Sequence, residues 1–190
     1  MRIFINPGHC PGADPGCCNK AFNVCEAEYV LEIGMLVRDK LKKLGHNVKM
    51  LQTDNLRNAC DDDKSQPCIV YEANKWCADI AVSIHCDAFN GIAHGTGCFC
   101  FARGSEADRL AQLIQYNLVE ALGTMDRGVR YEQDKPKDER LSFCMLTDMP
   151  AVLVECAFLD NFDDAVILME NKEEVADAIC KGIVEYAEAA

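Results

Sequence analysis

Four side chains in this 190-residue chain have the types and placement for hydrolytic metal chemistry: His9, Glu26, His85 and Glu155. Imidazole and carboxylate both suit zinc. Two histidines with one glutamate form a known catalytic donor set that leaves one coordination position open for water. A metal held this way lowers the pKa of its water to about 7, and a nearby carboxylate can then carry the proton. Each residue also has a plainer role open to it. His9, in Pro7-Gly8-His9, suits a turn, and His85, after Ser83-Ile84, suits a hydrogen-bonded core position. Glu26 at a helix start complements the helix dipole, and Glu155 can serve as an ion-pair partner or a cap. Burying Glu155 behind Ala151-Val152-Leu153-Val154 would be costly without a cation or hydrogen-bond donors.

The elements that must position these residues follow from the apolar pattern. Arg2 to Asn6 reads as a strand stopped by Pro7-Gly8, which leaves His9 just past its end. Gly8 to Asn23, rich in Gly, Pro, Asn and Asp, reads as a long loop of the kind that is usually functional or disordered. From Glu26 to Leu44, Val30, Ile33, Leu36, Val37, Leu41 and Leu44 recur at helical spacing. Lys40, Lys42 and Lys43 crowd the last turn and Gly45 follows. Val48 to Leu51 is a strand, and Asn55 to Gln66, with Asp61-Asp62-Asp63, is a solvated loop. Pro67 opens a helix that runs to about Trp76. Ala78 to His85 is a buried strand followed by a loop to Gly97. Cys98 to Phe101 is a strand and Glu106 to Leu122 an amphipathic helix, while Asp126 to Glu139 is charged and aperiodic. After a short run near Phe143 to Leu146, a strand from Ala151 to Val154 ends at Glu155. Helices follow at about Asp163 to Met169 and Glu173 to Ala189. The alternation predicts one layered α/β domain over residues 1–190, a mostly parallel twisted sheet flanked by helices. Ligands of open α/β sheets gather beyond the carboxyl ends of the strands. His9, His85 and Glu155 lie there, and Glu26 heads the helix that follows the long loop.

Charge and cysteine content narrow the function. With 31 acidic against 19 basic residues the net charge is −12, which disfavours a polyanionic partner, so nucleic acid is not expected. No run approaches the 18 apolar residues of a membrane-spanning helix, so no membrane partner is expected. Met1-Arg2 leads directly into Ile3-Phe4-Ile5, too short for an export segment. The reading is of a chain made in the cytoplasm with no signal peptide visible. Thirteen cysteines are an odd number, so at least one is unpaired within the chain. Most are expected to be buried thiols in a reducing compartment. Neither the adjacent Cys17-Cys18 nor the pair Cys98 and Cys100 has zinc-clamp spacing. Cys10, Cys86 and Cys156 directly follow site candidates and Cys25 directly precedes one. Strand alternation turns Cys86 away from the direction of His85. Cys10 and Cys25, off regular structure, stay open as ligands.

The same residues carry a resemblance over nearly the whole chain. Ile3-Phe4-Ile5-Asn6-Pro7-Gly8-His9 resembles the opening strand and zinc-binding histidine turn of the zinc-dependent N-acetylmuramoyl-L-alanine amidases, the family often called Amidase_3. Glu26 and the apolar helix ending in Leu44-Gly45 are similar to that family's glutamate ligand and its helix. Ala78-Asp79-Ile80-Ala81-Val82-Ser83-Ile84-His85 resembles the strand supplying its second histidine ligand. Arg127-Gly128-Val129 matches an Arg-Gly-Val segment, and Pro150-Ala151-Val152-Leu153-Val154-Glu155 matches the strand whose glutamate is catalytic. Ala157-Phe158-Leu159-Asp160-Asn161 resembles a Gly-Phe-x-Ser/Thr-Asn segment. The chain departs from the pattern at Cys10, where Gly commonly follows the first histidine, and at Asp87, where Asn is frequent after the second. Glu28 lies two residues from Glu26, and Glu26 fits the family spacing better.

The resemblance implies a zinc amidase of phosphorylase/hydrolase-like α/β fold. Zn2+ would be held by His9, Glu26 and His85, with Glu155 catalytic and Arg127 outside the catalytic set. The implied substrate is peptidoglycan, cut between N-acetylmuramic acid and the first L-alanine of the stem peptide, so the enzyme would act on the cell wall as an autolysin or a phage-type endolysin. A non-catalytic wall-binding module would show a damaged donor set, whereas all four positions are filled here. A zinc peptidase acting on small peptides would be separated by its products.

Overall fold

Short β-branched and aromatic runs closed by glycine, proline or a polar stretch become strands, and 3.6-residue apolar periods become the helices that cover them. The computed structural model describes residues 1–56 and 67–189. Most of the loop read at Asn55 to Gln66, including Asp61-Asp62-Asp63, lies outside the described residues, as does Cys60.

The main sheet has six strands, β1 (Arg2–Pro7), β4 (Asn47–Met50), β5 (Ile80–Asp87), β6 (Thr96–Cys100), β7 (Asp126–Tyr131) and β8 (Ala151–Phe158). Their order across the sheet is β4-β1-β5-β8-β6-β7. β4, β1, β5 and β8 run parallel, β6 is antiparallel to β8, and β7 is parallel to β6. A two-stranded ribbon, β2 (Cys18–Asn19) with β3 (Val24–Cys25), is the regular structure inside the long loop read at Gly8 to Asn23.

One face of the sheet is covered by α1 (Glu26–Lys43), α3 (Glu106–Leu122) and α6 (Lys172–Glu188). Ile3, Ile5, Val82, Ile84, Val152 and Val154 point into that layer against Val30, Ile33, Ile114 and Ile179, all fully buried. α3 and α6 cross closely because Gly182 leaves room for the Ile114 backbone. On the other face Phe4, Ala81, Leu153 and Phe99 meet α2 (Ile69–Lys75) and α4 (Ser142–Leu146). The helix α5 (Phe162–Glu170) starts after Asn161, whose side chain accepts from the Asp163 and Asp164 amides.

The mixed α/β architecture with a mostly parallel sheet is the one expected from the alternation. Three local readings change. The charged stretch after Asp126 holds the edge strand β7 and two 3₁₀ turns, Glu132–Asp134 and Lys137–Glu139. An edge strand pairs on one side and is not driven by burial, so it lacked an apolar signature. β5 and β8 do not stop at His85 and Glu155 but continue to Asp87 and Phe158, with a register shift between His85 and Asp87. Among the described cysteines, Cys18 and Cys25 form a disulfide across the β2–β3 ribbon, which departs from the thiol reading for this pair. The others are free, and Cys68, Cys86, Cys98, Cys100, Cys144, Cys156 and Cys180 are buried.

Candidate metal centre and active site

The carboxyl end of β1 delivers His9, in the left-handed region at φ 55°. A histidine tolerates that conformation better than most residues, but its backbone must be held. Gly8 N donates to Ile84 O at 2.8 Å, and Cys10 and Asp14 bridge through their backbones at 2.8 Å. Glu26 opens α1, where Glu26 N donates to Cys17 O at 2.8 Å. Gln52 Nε2 donates to Gly8 O at 3.1 Å and Ala27 O at 2.9 Å, which ties the two segments together. His85 and Glu155 are register partners on the adjacent strands β5 and β8.

His9, Glu26 and His85 converge so that one ligand atom from each lies within 4.8 Å of the others. Glu26 is 3% exposed. Its Oε1 lies 3.0 Å from His85 Nδ1 and its Oε2 3.1 Å from His9 Nε2. It also accepts from the backbone amides of Cys86 at 3.0 Å and Cys17 at 3.2 Å.

The surrounding hydrogen bonds give each imidazole a partner on the side away from Glu26. Asn6 Nδ2 donates to the carbonyls of Pro7 and Leu51, so Asn6 Oδ1 is the atom that receives the Ser83 hydroxyl proton at 2.8 Å. The Ser83 oxygen then accepts from His85 Nε2–H at 3.1 Å, and the His85 Nδ1 lone pair faces Glu26. His9 has a carboxylate at each ring nitrogen, Asp14 Oδ2 at 2.8 Å from Nδ1 and Glu26 Oε2 at 3.1 Å from Nε2, so with its proton on Nδ1 toward Asp14 the Nε2 lone pair is available to a metal. Two nitrogen lone pairs and a carboxylate turned toward one point repel unless a cation joins them. This donor set fits zinc. Without a metal, protons must serve instead. The Glu26 hydrogen bond raises His9 to about 9 against the loss from burial. Burial pushes Glu26 up, but the hydrogen bonds and charges of His85 and His9 outweigh it and hold it at about 2.

Glu155 does not join the three donors. Its Oε2 is shut off from solvent with no hydrogen-bond partner. Burial, and then the negative charge of Glu26 and Asp87, pushes its carboxyl well above the usual range. Such a group takes up a proton readily. An apolar cavity of about 190 Å³ lined by Leu56, Ile69, Phe143 and Leu153 borders His9 and His85.

Of the cysteines beside the candidates, Cys86 and Cys156 point into the helix-covered core and Cys25 is bound to Cys18. Cys10 Sγ donates to the Pro11 carbonyl at 3.9 Å and is not among the three converging donors. Asp14, Ser83, Asn6 and Gln52 were not singled out from sequence. Asp14, five residues after His9 in the glycine-rich loop, was the one with a local signal.

The chain matches the N-acetylmuramoyl-L-alanine amidase family over residues 3–185. It is 33% identical over 200 residues to an uncharacterized cell wall amidase of Bacillus anthracis, covering 98% of this chain and 35% of that protein. It is 33% identical over 190 residues to the N-acetylmuramoyl-L-alanine amidase LytC of Bacillus subtilis, covering 97% of this chain and 35% of LytC. The chain therefore spans about a third of the length of these two relatives. The catalytic domain of CwlV, an amidase from Bacillus (Paenibacillus) polymyxa, superposes with a TM-score of 0.81 at 24% identity, over 100% of this chain and 99% of that one. On the extent of the family match, this chain belongs to the N-acetylmuramoyl-L-alanine amidase family.

Proposed function

We propose that this chain is a zinc-dependent peptidoglycan amidase acting on the cell wall, cleaving the amide between N-acetylmuramic acid and the first L-alanine of the stem peptide. The observation that carries the reading is the convergence of the His9 and His85 imidazoles on the buried Glu26 carboxylate, in a chain of the amidase family.

His9 Nε2, His85 Nδ1 and Glu26 would hold the zinc. Zinc, when bound, polarises the scissile carbonyl and acidifies water. Asp14 and Ser83 keep the two rings in the tautomers that binding requires. Glu155, next to His85 across the sheet, takes the proton of the attacking water. It passes that proton to the amide nitrogen as the C–N bond breaks, so the products are the lactyl carboxylic acid and a free alanine amine. Its protonated form is favoured by burial, which suits it to hold the proton between the two transfers.

The test is digestion of purified peptidoglycan by zinc-loaded protein, with mass spectrometry of the products and zinc content measured in parallel. Free muramic lactyl carboxylate and a new N-terminal alanine are expected. Glu155→Gln should lose about 10²- to 10⁴-fold in rate while keeping its zinc. A fully active Glu155→Gln with normal zinc removes Glu155 from the reaction. Cleavage only within the stem would make the chain a peptidase instead.

A further inference from the structure

The level of the sheet that carries His85 and Glu155 continues to the opposite edge. Glu155 is the register partner of Gly97 on β6, and a Cβ on Gly97 would lie 3.6 Å from Arg127 Cβ on β7. His85, Glu155, Gly97 and Arg127 thus stand side by side on four consecutive strands. Gly97 puts no side chain between Glu155 and Arg127 on this face. One step along the strands, Arg130 pairs with Phe99 and Phe99 with Leu153. Leu153 is two residues from Glu155 and shares its face.

Arg127 and Arg130 line one cavity of about 280 Å³ with Asp87, Phe89 and Phe158. Arg127 is held in place, with Nη1 donating to His94 O at 3.1 Å and the guanidinium 4.9 Å from the Phe158 ring centre. Its Nε is shut off from solvent and has no partner. Arg130 stacks at 5.4 Å on Phe99 and has neither an ion pair nor a hydrogen bond among the described residues. Asp87, the acid in this cavity, accepts from the Ala88 amide at 2.8 Å and forms no ion pair with either arginine. Two guanidinium groups with no ion pair among the described residues, on one wall of a chain of net charge −12, make a local site for an anion. Their planar forks match a carboxylate.

We propose that Arg127 and Arg130 form a subsite for a free carboxylate on the stem peptide, at its second or third residue. This rests on the amidase reading above. Two strand spacings of about 4.8 Å separate Glu155 from Arg127. About three extended residues cover that span, and arginine side chains reach back over part of it. Stems whose carboxylate has been converted to a carboxamide would lose the charge-assisted hydrogen bonds and be cut more slowly.

The experiment uses zinc-loaded protein and pairs of disaccharide–tetrapeptides that differ only in a carboxylate or a carboxamide, at the second or at the third stem residue. One of the two pairs should show a kcat/KM about tenfold or more higher for the acid. Arg130→Gln should bring that ratio near one, mainly through KM, and Arg130→Lys should restore part of it. A wild-type ratio near one for both pairs, or a preference that survives the Arg127→Gln/Arg130→Gln double variant, overturns the subsite and leaves the amidase reading standing. No cleavage of any of the four substrates, nor of whole peptidoglycan, overturns both together.

Discussion

Replacing Gly8 by alanine tests the placement of His85 without substituting any proposed ligand. A Cβ at Gly8 would sit 2.1 Å from His85 Cε1, 2.4 Å from Nδ1 and 2.5 Å from Nε2, whereas ordinary contact begins at 3.4 Å. The backbone cannot withdraw easily, because Gly8 N is bonded to Ile84 O, next to His85 itself. The imidazole must therefore retreat by about 1.3 Å, the gap between 2.1 and 3.4 Å. Metal–ligand distances tolerate about 0.2 Å, and the move also breaks the Ser83 hydrogen bond that fixes the tautomer. Zinc affinity, measured by chelator competition, should fall about 10- to 100-fold. The rate on peptidoglycan should fall about 100-fold. Overpacking should cost about 1–3 kcal/mol in thermal or denaturant unfolding, which leaves a folded protein to assay. A Gly8→Ala variant with unchanged zinc affinity and rate would mean that the His85 ring does not pack against Gly8, and the ligand geometry would be refuted.

In chelator-stripped protein, His9 (raised to about 9) and Glu26 (held at about 2) make stability depend on pH. The His9 contribution is complete below its ordinary 6.5 and lost as pH rises through 9, whereas that of Glu26 is complete above 4.5 and lost as pH falls toward 2. The unfolding temperature of stripped protein should thus be level between about pH 4.5 and 6.5 and fall on both sides, and a flat profile up to pH 9 would contradict the pairing. Removing the Cys18–Cys25 cross-link, seven residues apart in sequence, by Cys18→Ser should cost about 2–3 kcal/mol. It should also weaken zinc binding, since Cys17 anchors both the Glu26 amide and its Oε2; equal unfolding and zinc titrations in variant and wild type would sever that link. Gly182→Ala would set a Cβ 2.7 Å from Ile114 Cα, forcing α3 and α6 apart at about 1–3 kcal/mol in unfolding, with zinc affinity unchanged.

The parts of this structure driven by burial were legible in the amino-acid sequence. Ala78 to His85 carries Ile80, Val82 and Ile84 at alternate positions, the apolar face of a buried strand, and α1 shows its period from Val30 to Leu41. β7 was missed because Arg127 and Arg130 alternate with residues that are only half-buried at the sheet edge. The β2–β3 ribbon and its disulfide were missed because two-residue strands leave no periodicity, and cysteine spacing alone does not determine pairing. His9, Glu26, His85 and Glu155 stood out by residue type at element ends, but their meeting point is set by strand order, which periodicity does not encode. Asp14, Ser83, Asn6 and Gln52 act through hydrogen bonds that depend on that meeting point, so only the folded arrangement exposes them.

X-ray absorption at the zinc edge of the loaded protein tests the central claim most directly. The expected result is one zinc per chain with two imidazole nitrogens at about 2.0–2.1 Å and carboxylate oxygen at about 2.0–2.2 Å. Sulfur scattering at about 2.3 Å, or loading and spectra unchanged in His9→Ala and His85→Ala, would place the metal elsewhere and contradict the account.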